Sequence, residues 1–532
     1  MKKRILALLL VVVMAFALVA CGGGDTPAAP GGPGASQGSG GTAAGGGAAA
    51  GGGAAAPPVT RGGAITVAFG GTPNGLDPIS EDLNTTISVT SHIYDSLVYM
   101  DMDWVWNPNI ATAWRQPDPV TWEFDINLDF LFHNGDRLTM DDVVYSVLRL
   151  KDIPKSADAM RNIADAYATG SVLTIKFLEP NNTTMPALLW TLIIVNKAYI
   201  EAFGDVAIYT EPVGTGPYKV TNFIPGASVT LERFEEDPFD RALLDRIDFV
   251  AIPENANRYI AVESGQVHYA GLITAFEMQL ARDAGRFNLV DAVSNRTGMV
   301  MINVEKTPLD DVNVRRALAH ALDRESFCML AGGRPQVKSP FFGGFPDLYY
   351  DSPYWPEYDM DMARQLLEGA GISPANPVEI DFMFFVPDPG IELWQSSLRQ
   401  LGVILNLELL EFSVYLARQA ENNYMMCFTA LRNIAGDPLM DLERVDSRFK
   451  GSRNLARYDN PELDALLDIA RVTMDRDELV RVTRQANDII AQEVPKFGIF
   501  LQGNYAVMDS NLHGVYIRGD LVQIFRHAYL TN

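Results

Sequence analysis

Beyond residue 60, apolar and polar positions alternate with the periods of regular secondary structure. A period of two, with an apolar residue at every second position, predicts strands that are buried on one face. Segments 64–70 and 122–128 have this pattern. Further strands are predicted at 247–252, 299–304, 378–385 and 403–410. We therefore predict a body in which strands recur along the whole length.

Helix start signals stand between these strands. Thr139 is followed three residues later by Asp142, the spacing of a capping box, so we expect a helix to begin there. Further N-cap residues ahead of apolar positions are Asp310 or Asp311, Asp359, and Asn460 before Pro461. Strands that alternate with helices over this length indicate α/β lobes.

The first 21 residues have the layout of a bacterial export signal. Basic residues at positions 2–4 precede an unbroken apolar run at 5–20. The run is shorter than the roughly 20 residues that span a bilayer, which favours a signal peptide. It ends in Leu-Val-Ala-Cys and resembles the lipobox of bacterial lipoproteins, in which the cysteine, here Cys21, is acylated. The alternative is an anchor helix with an incidental cysteine.

A stretch of low complexity follows. Residues 22–60 consist almost wholly of Gly, Ala, Pro, Ser and Thr, with Asp25 as the one charge. This composition buries too little apolar surface to offset the conformational entropy of ordering, so we expect disorder. A flexible tether of this length has a root-mean-square reach of about 35 Å. We expect it to hold a folded body near a membrane.

Length and charge restrict the class of protein. Residues 61–532 are too many for a single core and predict two or three lobes. The formal charge of −24 argues against nucleic acid and anionic lipid surfaces as partners. Cys328 and Cys427 lie in apolar stretches and are expected to be buried thiols, with a disulfide between them left open.

The residue types of common active sites do not form a pattern. The six histidines show no metal-ligand spacing, and neither a Walker phosphate loop nor a His-Glu-x-x-His motif is present. No Ser-His-Asp or Cys-His arrangement stands out. We therefore expect no cofactor, no metal and no catalytic residue.

Six segments, in order along the chain, carry a family resemblance. They are Leu76-Asp77-Pro78, the block 122–149, the Gly-Thr-Gly-Pro-Tyr turn at 214–218, Ser264-Gly265-Gln266-Val267 with His268 where an acid is usual, Asn303 with 308–318, and 358–371. Together they resemble the large extracytoplasmic solute-binding proteins that serve dipeptide, oligopeptide and nickel importers. The resemblance covers nearly all of residues 62–505.

That resemblance implies a fold and a partner. The fold is α/β, a two-lobed periplasmic-binding-protein-like fold of type II with the ligand cleft between the lobes. Lobe I is expected at 61–295 and 503–532, with an extra subdomain at roughly 80–205, and lobe II at 296–502. The family's proteins hand their ligand to the permease subunits of an ABC importer, so we expect a monomeric, lipid-anchored receptor outside the cytoplasm and not an enzyme.

Several matching residues have a structural interpretation. We expect Gly214 and Gly216 to form a backbone turn and not a phosphate cradle. We expect Arg315 and Arg316, which adjoin Asp310 and Asp311, to make surface or interlobe charge pairs and not ligand clamps.

The ligand site departs from the family pattern. Peptide-binding relatives carry a W-x-x-D-x-x-D-P segment whose first aspartate pairs with the ligand's α-ammonium. Here Asp437 is kept, but Ile434 stands at the position of that aspartate. A buried ammonium without a counter-ion costs several kcal/mol, so the usual amine anchor is missing. Arg432 adds a cation that suits a carboxylate, a phosphate or a carbonyl, unless it points to solvent or the register is shifted.

The candidate ligand-binding residues are Asn74, Trp104, Trp106, Arg432, Asn433, Ile434 and Asp437. The two tryptophans either pack in a core or line the cleft. The leading function is capture of an oligopeptide-like ligand for import. The alternatives are a non-peptide solute (a sugar, an opine-like or anionic compound, or a metal chelate) and a ligand sensor on the same scaffold.

Overall fold

The computed structural model describes residues 61–78, 84–101, 105–152, 162–180, 192–204, 206–330, 334, 336–337, 350–432, 438–518 and 520–531. Of residues 293, 295, 432 and 438 it describes the backbone alone. No helix within these ranges is long and apolar enough to cross a membrane.

A ten-stranded mixed sheet runs through the body, in the order β14-β13-β15-β12-β16-β11-β1-β10-β9-β8. Its strands are β1 (Ala64–Phe69), β8 (Tyr218–Ile224), β9 (Ser228–Arg233), β10 (Arg246–Ala251), β11 (Tyr269–Ile273), β12 (Phe287–Ile302), β13 (Val378–Phe384), β14 (Val403–Leu409), β15 (Met426–Arg432) and β16 (Lys496–Asp509). The six predicted strands are confirmed, five of them in this sheet. The segment 299–304 is the second half of the much longer β12.

A smaller antiparallel sheet lies in the sequence between β1 and β8. Its order is β4-β5-β7-β6, from β4 (Ala111–Asp118), β5 (Thr121–Ile126), β6 (Ile163–Thr169) and β7 (Val172–Phe177). Phe124, Leu173 and Ile175 are buried on its inner face together with Val143 and Val147 of a covering helix. The two-stranded ladder of β2 (Val98–Met100) and β3 (Trp106–Pro108) stands beside it.

Helices connect the strands and cover the sheets. They are α1 (Asn84–Thr90), α2 (Met140–Arg149), α3 (Lys197–Phe203), α4 (Val206–Thr210), α5 (Asn255–Glu263), α6 (Ala275–Ala284), α7 (Val312–His320), α8 (Arg324–Leu330), α9 (Met360–Gly369), α10 (Pro389–Arg399), α11 (Phe412–Ala420), α12 (Pro438–Leu442), α13 (Pro461–Val472) and α14 (Arg476–Glu493).

The predicted helix caps are confirmed in detail. The Asp142 amide donates to Thr139 Oγ1 at 3.3 Å, and the Thr139 amide donates to Asp142 Oδ2 at 2.9 Å, which completes the capping box of α2. The N-cap of α7 is Asp311 and not Asp310. The N-caps of α9 and α13 are Asp359 and Asn460, as expected.

The buried apolar side chains form separate cores. Two clusters draw only on residues between 299 and 500, one around Phe382 and Trp394 and one around Tyr415 and Ile490. Three other clusters draw on residues 65–292 and 505–530. Strands β12 and β16 contribute to both groups because each runs from one to the other.

The C-terminal residues pack against the core that contains β1 and β10. Short ladders join β17 (Leu512–His513) to β20 (Tyr529–Leu530) and β18 (Tyr516–Ile517) to β19 (Gln523–Ile524). Arg526 Nη1 lies 2.9 Å from Asp95 Oδ1, and Arg241 Nη1 lies 2.9 Å from Asp95 Oδ2. Burial would raise the pKa of Asp95, but these two arginines lower it to about 2. The carboxylate is therefore ionised and holds the end of the chain in place.

Candidate functional site

Two sets of parallel strands end at the same place in the molecule. Strands β1, β10 and β11 are parallel to one another, as are β13, β14 and β15. The last residue of β11, Ile273, lies opposite Tyr505, while the last residue of β15, Arg432, lies opposite Arg296. Ligands of α/β proteins bind outside the carboxyl ends of parallel strands. The two sets of ends therefore define a candidate cleft. It lies where β12 and β16 pass from one group of cores to the other, a region that we call the crossing.

The ladder of β12 and β16 is interrupted at this crossing. Val293 pairs with Gly503, but the next pair is Thr297 with Leu501, so β12 carries extra residues there. The Ser294 hydroxyl donates to the Gln502 carbonyl at 2.7 Å and accepts from the Arg296 amide at 3.1 Å. A bulged pair of strands with few ladder bonds is the place where two packed bodies can rotate.

The loop after β1 carries the first predicted site residue. Asn74 is exposed, and the loop around it is fixed by hydrogen bonds from the Leu76 amide to Tyr209 O and from the Gly226 amide to Pro73 O. Asp77 is buried and lies 3.1 Å from Arg149 Nη2, so the Leu-Asp-Pro motif ties this loop to α2. The loop follows the carboxyl end of β1, and a ligand contact by Asn74 stays a prediction.

The glycine-rich turn at 214–218 is a packing turn, as predicted. A Cβ on Gly214 would come 2.0 Å from Ile93 O, and one on Gly216 would come 2.3 Å from His92 O. The Gly216 amide donates to Ile93 O at 2.8 Å. The turn therefore needs glycine for a close approach to another backbone segment.

Arg315 makes a charge pair, as predicted, but the pair does not lie where it was predicted. Its side chain is buried, and it donates to the carbonyls of Leu309, Asp310 and Glu493 at 2.8 to 3.1 Å. The guanidinium holds the loop before α7 against the end of α14, within one group of cores. Its Nη2 also lies 3.3 Å from Glu493 Oε2. Arg315 was expected at the surface or between the lobes, but the helix turns position 315 inward, into a single group of cores. Arg316, the next residue, is exposed.

The segment predicted to bind ligand is described in part. The backbone of Arg432 ends β15 opposite Arg296, at the carboxyl edge where a ligand segment belongs. Trp104, Asn433, Ile434 and Asp437 lie outside the described residues. Trp106 is half-buried and packs against the core of the smaller sheet, which favours core packing over cleft lining for this residue.

Both cysteines of the folded body are buried, and two of its histidines are fully or largely buried. Cys328 and Cys427 are buried free thiols, and burial raises the pKa of both to about 11. Burial lowers the pKa of His92 to about 3 and that of His133 to about 4. Within the described ranges, no group of three or more His, Cys, Asp or Glu side chains is placed to hold a metal ion.

Large apolar side chains are exposed at the carboxyl edge of β13 and β14. Val386, Leu409 and Phe412 are 53%, 56% and 50% exposed. The Phe412 ring lies 4.9 Å from that of Phe385, which lies 4.9 Å from that of Tyr415 in the core. These tilted ring contacts hold Phe412 in place, so this edge offers an ordered apolar surface.

Two further residues at the crossing, Arg334 and Tyr505, are not among the ligand-binding residues predicted from the sequence. Arg334 lies next to β16 and is paired with Asp388, with 29% of its side chain exposed. Tyr505 of β16 leans back over Gly503, where a Cβ would come 2.5 Å from its hydroxyl. No local motif marks Arg334, because its partner Asp388 is 54 positions away, and none marks Tyr505.

This architecture agrees with the comparisons to known proteins. The family model described as "Bacterial extracellular solute-binding proteins, family 5 Middle" matches residues 105–452. The chain belongs to this family. Its members are non-enzymatic ligand binders, so the expectation that the protein is not an enzyme holds.

Relatives and solved structures support the same assignment. The probable D,D-dipeptide-binding periplasmic protein DdpA of Escherichia coli (strain K12) is 24% identical over 476 residues, which are 85% of this chain and 91% of that protein. DppA from Helicobacter pylori in complex with the peptide STSA superposes with a TM-score of 0.74 at 20% identity, covering 89% of this chain and 99% of that one. NikA from Brucella suis in complex with Fe(III)-EDTA superposes with a TM-score of 0.78 at 19% identity, covering 88% of this chain and 100% of that one. The two-lobed fold is therefore shared among family members that bind different ligands.

Proposed function

We propose that this protein is a lipid-anchored receptor that captures a solute between two lobes and delivers it to the permease of an ABC importer. One observation carries the proposal. The two sets of parallel strands end at the crossing, where the ladder between β12 and β16 is interrupted. A cleft built on two strands closes when a ligand binds the closed state better than the open state.

The lobes of the proposal are 61–295 with 503–532, and 296–502. The separate cores support these boundaries, since they divide between residues 292 and 299 and again between 500 and 505. Roughly 80–205 forms the extra subdomain, which the smaller sheet and its own core support.

Anchoring through Cys21 is supported by the apolar run, the lipobox-like residues and the low-complexity stretch that follows. We expect the full chain, expressed in a bacterium, to sediment with membranes and to incorporate a radiolabelled fatty acid. A Cys21→Ser variant should lose the label and leave the membrane fraction. Equal membrane association and labelling of both proteins would contradict the proposed anchor.

An oligopeptide-like ligand is the family's default, and Ile434 at the usual aspartate position favours a solute without a free α-amine. Such a solute is an N-blocked peptide, or a sugar, opine-like, anionic or chelate compound. Calorimetric titration with unmodified di- to pentapeptides and their N-acetylated forms separates these classes. Binding that depends on the free amine would overturn the interpretation of Ile434.

The most direct experiment is native mass spectrometry of the gently extracted protein. A receptor whose lobes enclose the ligand releases it slowly, so we expect a bound small molecule that is lost on denaturation. A protein that carries no ligand, and that binds none of the probe peptides or acids in titration, would contradict the proposed function.

A further inference from the structure

Residues 336 and 337 add to the edge of β16 that β12 does not occupy. Gln336 bridges Phe500 in antiparallel register, and the Val337 amide donates to Ile499 O at 3.1 Å. Continuing this register places residue 334 beside Gln502. The opposite edge of β16 is occupied by β12, so the segment lies on the same edge as β11. Arg334 of one lobe thus stands next to the carboxyl end of β11, which belongs to the other lobe.

The guanidinium of Arg334 is held in a fixed orientation. Nη1 donates to Asp388 Oδ2 at 2.8 Å, and Cζ lies 4.1 Å from the centre of the Phe500 ring. The Arg334 amide donates to the Cys328 carbonyl at 3.2 Å, which fixes the backbone as well. An arginine stacked on a ring and bonded at one nitrogen has lost most of its conformational freedom before any ligand arrives.

Asp388 does not use up the hydrogen-bonding capacity of this cation. The Asp388 side chain is only 4% exposed, and its other oxygen, Oδ1, accepts from the Gly390 amide at 3.1 Å as the N-cap of α10. The carboxylate therefore meets Arg334 through one bond and not as a bidentate pair. Among the described residues, the hydrogen bonds of the Arg334 side chain involve Nη1 alone.

Arg334 also acts on the facing lobe. Burial and Asp291 raise the pKa of Tyr505, while Arg282 and Arg334 lower it. Because Tyr505 leans back over Gly503, its hydroxyl lies over the interruption in the ladder. A cation from one lobe and a phenol from the other are therefore both close to the crossing.

We propose that Arg334 binds a carboxylate of the captured solute, with the Tyr505 hydroxyl as a second donor from the facing lobe. The inference rests on the proposed function and adds the chemistry of one end of the ligand. Planar guanidinium donors match a carboxylate, and charge-assisted hydrogen bonds are the strong ones. A local cation also offsets the acidic character of the chain, whose formal net charge is −24, at the place where an anionic group would bind.

The test is calorimetric titration of three probes: the tripeptide Ala-Leu-Ala, its C-terminal amide, and glutarate. The apolar middle residue suits the exposed edge of β13 and β14. We expect the full chain to bind the free acid at least about tenfold more tightly than the amide. That is the change in Kd expected when one charge-assisted hydrogen bond is lost. Arg334→Gln should remove that difference and leave the affinity for the amide unchanged.

Further variants separate a ligand contact from a structural ion pair. Arg334→Lys keeps the charge but not the planar donors, so we expect an intermediate affinity for the acid. Tyr505→Phe should weaken binding of the acid and leave binding of the amide unchanged. The matched control is Arg316→Gln, which makes the same change at an exposed arginine of α7 and should bind all probes like the unaltered protein.

Each outcome decides between the hypotheses. Binding of glutarate without binding of either peptide would support the carboxylate site and assign it to a non-peptide acid. Equal affinity for acid and amide, or an equal loss of both in Arg334→Gln, would overturn the inference while the proposed function stands. Binding of none of the probes, with no ligand retained on extraction, would overturn both.

Discussion

At the scale of single residues, burial sets the protonation state of His92. His92 is completely buried, and its Nε2 accepts the Phe525 amide at 2.9 Å. Only an unprotonated Nε2 can accept, and burial, with Arg526 nearby, lowers the pKa of His92 to about 3. The neutral ring therefore joins α1 to the last segment of the chain, without an ion pair of its own.

The depressed pKa of His92 predicts a pH dependence of stability. Because an unfolded histidine titrates near 6.5, this contribution is complete above pH 6.5 and is lost as the pH falls towards 3. Between pH 7.5 and pH 5 the loss should be about 2 kcal/mol from this residue. We expect His92→Gln, whose amide oxygen can still accept from Phe525, to lose correspondingly less over that interval in urea unfolding. An unchanged pH dependence in the variant would show that His92 is not the group responsible.

At the scale of elements, short-range signals and long-range contacts act together. The turn at 214–218 has the composition of a tight turn, but its glycines are needed because the segment at 92–93 lies against them. Helix α2 begins at a capping box visible in the sequence, yet it is held in place by Arg149, which reaches Asp77 from another part of the chain.

Substitution of Gly214 tests the role of this close approach. In Gly214→Ala the new methyl would come 2.0 Å from Ile93 O, so the backbone must shift, and we expect a loss of about 2–3 kcal/mol in the free energy of unfolding. The control is Gly369→Ala at the end of α9, where a Cβ meets nothing within 4 Å. That change should be neutral, or stabilising by up to about 1 kcal/mol because alanine favours helix. Similar effects of the two substitutions would refute the packing argument.

At the scale of the whole molecule, two bodies with separate cores share two strands. Strands β12 and β16 carry apolar residues for both bodies and polar residues at the crossing, among them Ser294, Thr297 and Asn504. The crossing has an interrupted ladder, so it resists bending less than the packed bodies on either side.

Ligand binding should therefore be visible in both stability and shape. A ligand at 100 times its Kd adds about 2.7 kcal/mol to the free energy of unfolding if it binds only the folded protein. We expect this gain to accompany a smaller radius of gyration in small-angle X-ray scattering, as the lobes close. Stabilisation with no change in the radius of gyration would contradict closure about the crossing.

The candidate site was predictable only where local sequence carries the signal. The segment that ends β15 carries a family motif, and Asn74 lies in a turn cluster, so both could be proposed as site residues from local sequence. Arg334 could not be found in this way, because its partners Asp388 and Phe500 are 54 and 166 positions away. Arg315 was misjudged for the same reason, since Glu493, whose carbonyl and carboxylate it binds, lies 178 positions further along.

By itself, the sequence determined the periodic elements, their caps, the export-signal-like first segment and the family. These follow from contacts within a few residues, or from motifs that recur in order. Only the tertiary structure decided which strand ends meet and which glycines contact another backbone segment. It also decided which arginines are buried, and that Arg334 stays partly exposed beside the crossing. Those outcomes depend on pairing between segments far apart in the chain, and the free energy of such contacts is not encoded in any local pattern.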